Sequence, residues 1–428
     1  MKRFYPVYCW LLLILPTLAF GEERFPPPEY ESTYRPPITQ APAPRAEWLA
    51  YLDIAVLAAA LALAGYLTLK RRSRRGVFAL TAFTIAYFGF FRHGCVCPVG
   101  SIQNVALAIG QPQYALPIVV AAFFLLPLVA ALFVGRAFCA GVCPLGAAQD
   151  VVLLRPMKVP AWLEQALGVL PYIYLGVAVL FAATGSAFLV CRYDPFISIY
   201  RMSGAPLLLT ITVVMLAIGT VVGRPYCRFL CPYGVLLRWL SPFARWRVSI
   251  APKQCVQCHL CKDACPFGAI RIPTPAENPG GRREGKGRLV LYLLLLPVFL
   301  AVGGTLGYWG GAVLSGQHMT VRQANRVWLE EHGKVKGTTL ESDAFHRHGQ
   351  SLDELLQAAT AIRRQFDFGG LLLGGWIGLV IGLKLVFLSI RRRRTDYEAD
   401  PAACLACGRC YRFCPEEHAP AEVLEKIG

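Results

Sequence analysis

Charge is scarce in this chain. Asp, Glu, Lys and Arg make up 16% of its 428 residues, against roughly 25% in soluble globular domains. With 55% hydrophobic residues and a mean hydropathy of +0.47, that shortage excludes an ordinary soluble protein. Also missing are a catalytic triad, a Walker loop and a dinucleotide fingerprint, so substrate chemistry is expected from a partner. No C-x-x-C-H occurs, which excludes covalently attached haem. Acidic residues are outnumbered 26 to 43, leaving a net charge of +17.

The basic excess does not read as nucleic-acid binding. It comes in bursts beside apolar blocks, at 70–75, 155–158, 245–247, 282–288 and 391–394, and such flanking clusters orient membrane helices. Apolar runs predict seven spans, at about 48–69, 76–91, 114–134, 168–190, 205–222, 288–313 and 369–390. Residues 1–21 carry Lys2, Arg3 and an apolar run at 11–15, which reads as a signal peptide or signal anchor. No cysteine sits at the expected cleavage point, which argues against a lipoprotein. Residues 22–47 are Pro-rich and expected to be periplasmic. Starting outside, alternation places every basic burst on the cytoplasmic face of a bacterial inner membrane.

Sixteen cysteines are present, mostly at metal-ligand spacings rather than as a disulfide framework. Cys255-x2-Cys258-x2-Cys261-x3-Cys265-Pro266 and Cys404-x2-Cys407-x2-Cys410-x3-Cys414-Pro415 are two quartets of the kind that hold [4Fe–4S] cubes. In two-cluster ferredoxins the fourth Cys of each quartet reaches the other cluster. That rule assigns Cys255, Cys258, Cys261 and Cys414 to one cluster and Cys404, Cys407, Cys410 and Cys265 to the other. A zinc site, with two C-x2-C pairs and four ligands, is the weaker reading.

A second pattern repeats. Gly135-Arg136-Ala137-Phe138-Cys139-x3-Cys143-Pro144-Leu145-Gly146 recurs as Gly223-Arg224-Pro225-Tyr226-Cys227-x3-Cys231-Pro232-Tyr233-Gly234. If locally helical, cysteines four apart share one face, so Cys139, Cys143, Cys227 and Cys231 are candidates for a third centre; small packing residues are the plainer alternative. A degenerate copy, Cys95-x-Cys97-Pro98-Val99-Gly100, is followed by Gln103-Asn104-Val105, which echoes Gln149-Asp150-Val151. Cys95, Cys97 and Cys191 fall on the expected periplasmic side. There a redox centre, with His93 or Asp194 as a further ligand, competes with a disulfide. Residues 314–368 carry apolar positions at helical spacing (Leu352, Leu355, Leu356, Ala359, Ile362) and read as a helical hairpin on the membrane surface. His318, His332, His346 and His348 lie in it, with a metal or haem site the less favoured reading.

These motifs resemble the NosR/NapH group of membrane polyferredoxins, over about residues 48–415. The resemblance implies that Cys139, Cys143, Cys227, Cys231 and both quartets are redox cysteines. It also implies a role passing electrons between quinol or cytoplasmic donors and periplasmic reductases, while some relatives support metalloenzyme maturation. NosR-type proteins resemble one another in a periplasmic flavin domain. Residues 22–47 are too few for one, so a flavin would come from a partner. The copy at Cys95/Cys97 and the segment 314–368 are further departures from the group.

The expectation is therefore an all-α polytopic membrane protein carrying a cytoplasmic, bacterial-type two-[4Fe–4S] ferredoxin module assembled from separated halves. Its parts are a five-helix membrane domain (48–247), a first ferredoxin half (248–287), a helix (288–313), the periplasmic segment (314–368), a helix (369–390) and a second half (391–428). The expected function is electron transfer to redox partner proteins, with quinol a candidate donor. A maturation factor supplying reducing equivalents is the first alternative, and a redox-sensing regulator ranks last.

Overall fold

The computed structural model describes residues 46–94, 97–203, 205–250, 258–274, 279–349, 351–390, 394 and 396–414. The expected signal at 1–21, residues 22–45, Cys95, Cys255 and residues 415–428 lie outside them. The described chain is almost entirely helical, with one two-stranded sheet.

Four helices are long and apolar enough to cross a bilayer: Glu47–Lys70, Ala161–Ala183, Gly287–Ser315 and Leu352–Ser389. Two other expected spans are the shorter apolar helices Ile118–Val134 and Pro206–Gly219. With 17 and 14 residues at ~1.5 Å each, they reach about 26 and 21 Å, short of a ~30 Å hydrocarbon core. The last, expected at 76–91, is Arg74–Thr84 running on as the π-helix Ile85–Phe91. Leu352–Ser389 is one continuous helix of 38 residues, so the helix runs unbroken through the expected boundary at residue 369.

The short spans end where the Gly-Arg-cysteine repeats begin. Gly135 takes φ +62° and Arg224 φ +49°, and each turns the chain into a short buried helix, Ala137–Gly141 or Pro225–Phe229. Cys143 and Cys231 then cap the next helices, Pro144–Val151 and Pro232–Leu240, just as Cys97 caps Pro98–Gly110. Proline at the first helical position fits there because that N–H has no helical partner. Cys139 and Cys143 therefore sit on two successive helices, not on one face of a single helix as expected.

The helices Pro279–Ser315 and Leu352–Ser389 form a tight hairpin. Gly303, Gly307 and Gly311 on one meet Gly370, Gly374 and Gly378 on the other. A Cβ at Gly307 would clash with the Gly370 carbonyl, and one at Gly374 with that of Gly303. This small-xxx-small contact lets two backbones approach where lipid offers no hydrophobic drive. The loop side of the hairpin carries Met319–Glu331 and Leu340–His348, packed with the start of Leu352–Ser389. Val321, Ala324, Val327, Phe345, Leu355 and Ala359 form its core, and Leu352, Leu356 and Ile362 pack on it, so the expected apolar stripe is the buried one. Two of the histidines there make local contacts. His318 Nδ1 accepts from Thr320 N at 3.1 Å, and His332 stacks on Trp328 at 4.2 Å.

Asp53 lies within the first spanning helix and is 1% exposed. It accepts from Tyr87 Oη at 2.8 Å and pairs with Arg92 Nε at 2.9 Å, which locks the first helix to the second. Ionisable groups at membrane depth persist only when paired in this way.

Candidate functional site

The repeat cysteines converge. Cys139, Cys143, Cys227 and Cys231 are all buried, between 5% and 8% exposed, in the main core, and they lie within mutual electrostatic range. Donors are aimed at the sulfurs. Gln149 Nε2 donates to Cys227 Sγ at 3.3 Å and Gly234 N to Cys231 Sγ at 3.4 Å. Arg136 Nη2 stands 4.0 Å from Cys139 Sγ. Gln149 is itself held, with Oε1 accepting from Tyr226 N at 3.0 Å.

The repeat arginines are structural hinges of this centre. Arg224, fully buried, donates to the carbonyls of Cys139 and Ala140. It also pairs with buried Asp150 at 3.5 Å, and Asp150 takes Arg74 at 2.5 Å and Arg409 at 3.4 Å as well. Burial acts to raise the Asp150 pKa, but Arg224, Arg74 and Arg409 outweigh it and hold the carboxyl below its usual range. Asp150 ties the two repeats together and ties both to the second quartet.

That quartet docks on the bundle. Arg74 Nη1 donates to Cys407 O at 3.1 Å, Arg136 Nη1 to Ala402 O at 3.0 Å and Ser241 Oγ to Pro401 O at 2.9 Å. From the first quartet, Pro266 and Phe267 sit against Gly223, where a Cβ would come within 3.0 Å of Pro266. Phe267 lies under the Arg224 guanidinium at 5.8 Å.

The quartets also meet each other. Ile270–Arg271, after the first, pairs antiparallel with Glu398–Ala399, before the second. The residue after the second Cys of each quartet takes a left-handed turn, His259 at φ +63° and Gly408 at φ +72°. Cys265, Cys404, Cys407 and Cys410 line one cavity with Ile250, Phe267 and Ile270, the set assigned to one cluster by the spacing rule. Burial pushes the Cys404 thiol up to about 12; the Ala406 amide opposes this, and Cys407 and Cys265 add to it. Cys258, Cys261 and Cys414 are present as thiols, Cys261 buried and Cys258 exposed; their expected partner Cys255 is outside the described residues.

Iron–sulfur clusters fit this donor set. Among the described residues no three His, Cys, Asp or Glu side chains meet at a point suited to one metal ion. A cubane does not need that, because each thiolate binds its own iron. Buried donors also stand without acceptors among the described residues: Nε of Arg136, Arg224 and Arg409, and Tyr226 Oη. Leaving such a group unmet costs about 1–3 kcal/mol, and cluster sulfides are acceptors.

Comparison with known proteins agrees. Residues 116–161 and 205–250 match a family model described as a 4Fe-4S binding domain, and residues 248–271 match a second one. The first model covers Cys139, Cys143, Cys227 and Cys231, so the description attaches to the membrane repeats as well as to a quartet. The chain is a membrane protein with 4Fe–4S-binding domains. It is 28% identical over 194 residues to an uncharacterized protein of Methanocaldococcus jannaschii, covering 42% of this chain and 77% of that one. It is 26% identical over 196 residues to the putative electron transport protein YccM of Escherichia coli, covering 41% and 53%. It is 32% identical over 162 residues to protein NirI of Paracoccus denitrificans, covering 35% and 24%. No solved structure matches.

Sequence reading missed Asp150 as a hub and the two repeat arginines as docking groups. The Gly-Arg of each repeat was visible, but nothing local revealed that the guanidiniums turn inward.

Proposed function

We propose that this protein is a membrane-embedded electron-transfer component that passes electrons between two ferredoxin-type clusters and a third centre buried in its helix bundle. The observation that carries this reading is the docking of both quartets on the buried four-cysteine centre through Arg74, Arg136, Arg224 and Gly223. Cys404, Cys407, Cys410 and Cys265 ligate one cluster, Cys255, Cys258, Cys261 and Cys414 the other, and Cys139, Cys143, Cys227 and Cys231 the third. The antiparallel pairing of 270–271 with 398–399 supports a single ferredoxin module built from separated halves. The YccM relative, named a putative electron transport protein, supports the redox role.

In this reading the chain belongs with NosR/NapH-type polyferredoxins. It crosses a bacterial inner membrane about seven times after a signal sequence, with the quartets cytoplasmic. Redox proteins on either face are its partners, quinol is a candidate donor, and any flavin comes from a partner. The clusters supply one-electron chemistry. The protein's own residues hold them out of water, dock them and set their potentials through N–H groups aimed at sulfur.

The test is iron, acid-labile sulfide and EPR on anaerobically purified wild type and a Cys139→Ser/Cys227→Ser variant. The wild type is expected to hold at least about twelve irons, and the variant about four fewer with ferredoxin-type signals intact. The same iron count in both would remove the third centre.

A further inference from the structure

The segment after the fourth span carries another copy of the repeat, with one ligand exchanged. Cys191-Arg192-Tyr193-Asp194-Pro195-Phe196 reads against Cys227-Arg228-Phe229-Leu230-Cys231-Pro232-Tyr233. One residue is deleted, and Asp194 stands where Cys231 stands.

The structure repeats with the sequence. Gln103 Oε1 accepts from Val190 N at 2.8 Å while its Nε2 donates to Cys191 Sγ at 3.2 Å. Gln149 does the same one repeat on, accepting from Tyr226 N at 3.0 Å and donating to Cys227 Sγ at 3.3 Å. A Cβ on Gly100 would lie 3.2 Å from Cys191 Sγ, as one on Gly146 would lie 3.5 Å from Cys227 Sγ. Cys97 caps its helix as Cys143 caps the next copy. Asp194 Oδ1 takes Phe196 N at 2.9 Å, much as Cys231 Sγ takes Gly234 N. The two arrangements touch, because Tyr200 Oη donates to Pro144 O at 2.7 Å.

From this correspondence we infer a further iron–sulfur site in the bundle, ligated by Cys97, Cys191 and Asp194 and positioned by Gln103. Asp194 is 4% exposed and lies with Cys191 in electrostatic range of Cys97, and no ion pair involves it among the described residues. Cys97 and Cys191 are both present as thiols. Cys191 is exposed, so the site opens at the surface of the bundle. None of the three ligands falls in the segments that match the 4Fe-4S models.

The inference rests on the reading that Cys139, Cys143, Cys227 and Cys231 hold a cluster, and the experiment separates the two. Full-length protein is purified anaerobically as wild type, Cys97→Ser/Cys191→Ser, Cys139→Ser/Cys227→Ser and Asp194→Cys. Iron and labile sulfide are counted and EPR spectra recorded. The first double variant is expected to lose two to four irons with the ferredoxin signals unchanged. Asp194→Cys is expected to keep its iron and shift the g-values of one signal, since a thiolate replaces a carboxylate; this arm also decides the matter if the double variant misfolds. Unchanged iron in Cys97→Ser/Cys191→Ser alone overturns this site and leaves the other standing. Unchanged iron in both double variants overturns both. An unaltered spectrum in Asp194→Cys removes Asp194 as a ligand, and a Cys97–Cys191 disulfide found by mass spectrometry in the wild type overturns the site.

Discussion

Replacing Asp150 with Asn probes the joint between bundle and ferredoxin module. The Asp150 carboxylate is wholly buried and faces three guanidiniums, with side-chain exposures of 0% for Arg224, 14% for Arg74 and 20% for Arg409. Removing the charge strands Arg224, which has no solvent to turn to. Breaking a buried pair from one side costs about 3–5 kcal/mol, and the two partly exposed arginines add little. At ~2–4 °C per kcal/mol for a domain of about 150–250 residues, the size of the five-helix membrane domain that holds Asp150, melting of that domain in detergent should fall by about 6–20 °C. Arg228→Ala, which breaks a more open pair with Glu164, serves as the control. Because the Asp150 carboxyl is held below its usual range, its contribution is complete above the unfolded value of ~3.9 and is lost as pH falls through the folded one. The gap between wild type and variant should stay constant from neutral pH downward and close only in strong acid. An Asp150→Asn protein that melts with the wild type, its second quartet still docked by limited proteolysis, would refute the hub.

Three other outcomes follow from particular contacts. Gln149→Leu removes an N–H donor from Cys227 and should lower the potential of the buried centre by tens of millivolts, since ~59 mV is tenfold for one electron; redox-titrated EPR measures it. Gly374→Val forces a side chain against the Gly303 carbonyl and should destabilise the hairpin by about 1–3 kcal/mol, read as lower melting without iron loss. Leu355→Ala opens the small core on the hairpin's loop side, costing about 2–5 kcal/mol, and should raise hydrogen exchange at 319–348 while leaving the cluster signals alone.

The sequence marked the chemistry more clearly than the architecture. Both quartets, the repeated cysteines and the echo of Gln103 in Gln149 were legible because ligand spacing and repetition are local properties. The spans were less so. Hydropathy registers an apolar run but not where its helix starts and stops: the run at 114–134 begins four residues before Ile118, and that at 205–222 continues three residues past Gly219. The join at residue 369 was hidden for the opposite reason: a charged helix continuing into an apolar one looks like two elements. Asp150 and the inward-turned arginines were invisible, because their partners lie far away in sequence.

The polar groups around the buried cysteines argue against a packing role for them. A thiol is a weak hydrogen-bond acceptor, and burying an amide or guanidinium carries a desolvation cost that only a good partner offsets. If Cys227 and Cys191 merely filled space, an apolar residue at 149 and 103 would serve better than glutamine. Both positions instead carry an amide whose oxygen is fixed by a backbone N–H and whose nitrogen points at sulfur. That arrangement is favourable when the sulfur carries charge, and a buried thiolate is stable when bound to a metal. The pairing of a buried amide with a cysteine sulfur, made twice in one bundle, is therefore better explained by ligated cysteines than by free ones. Substituting both glutamines should weaken cluster retention more than it weakens the fold.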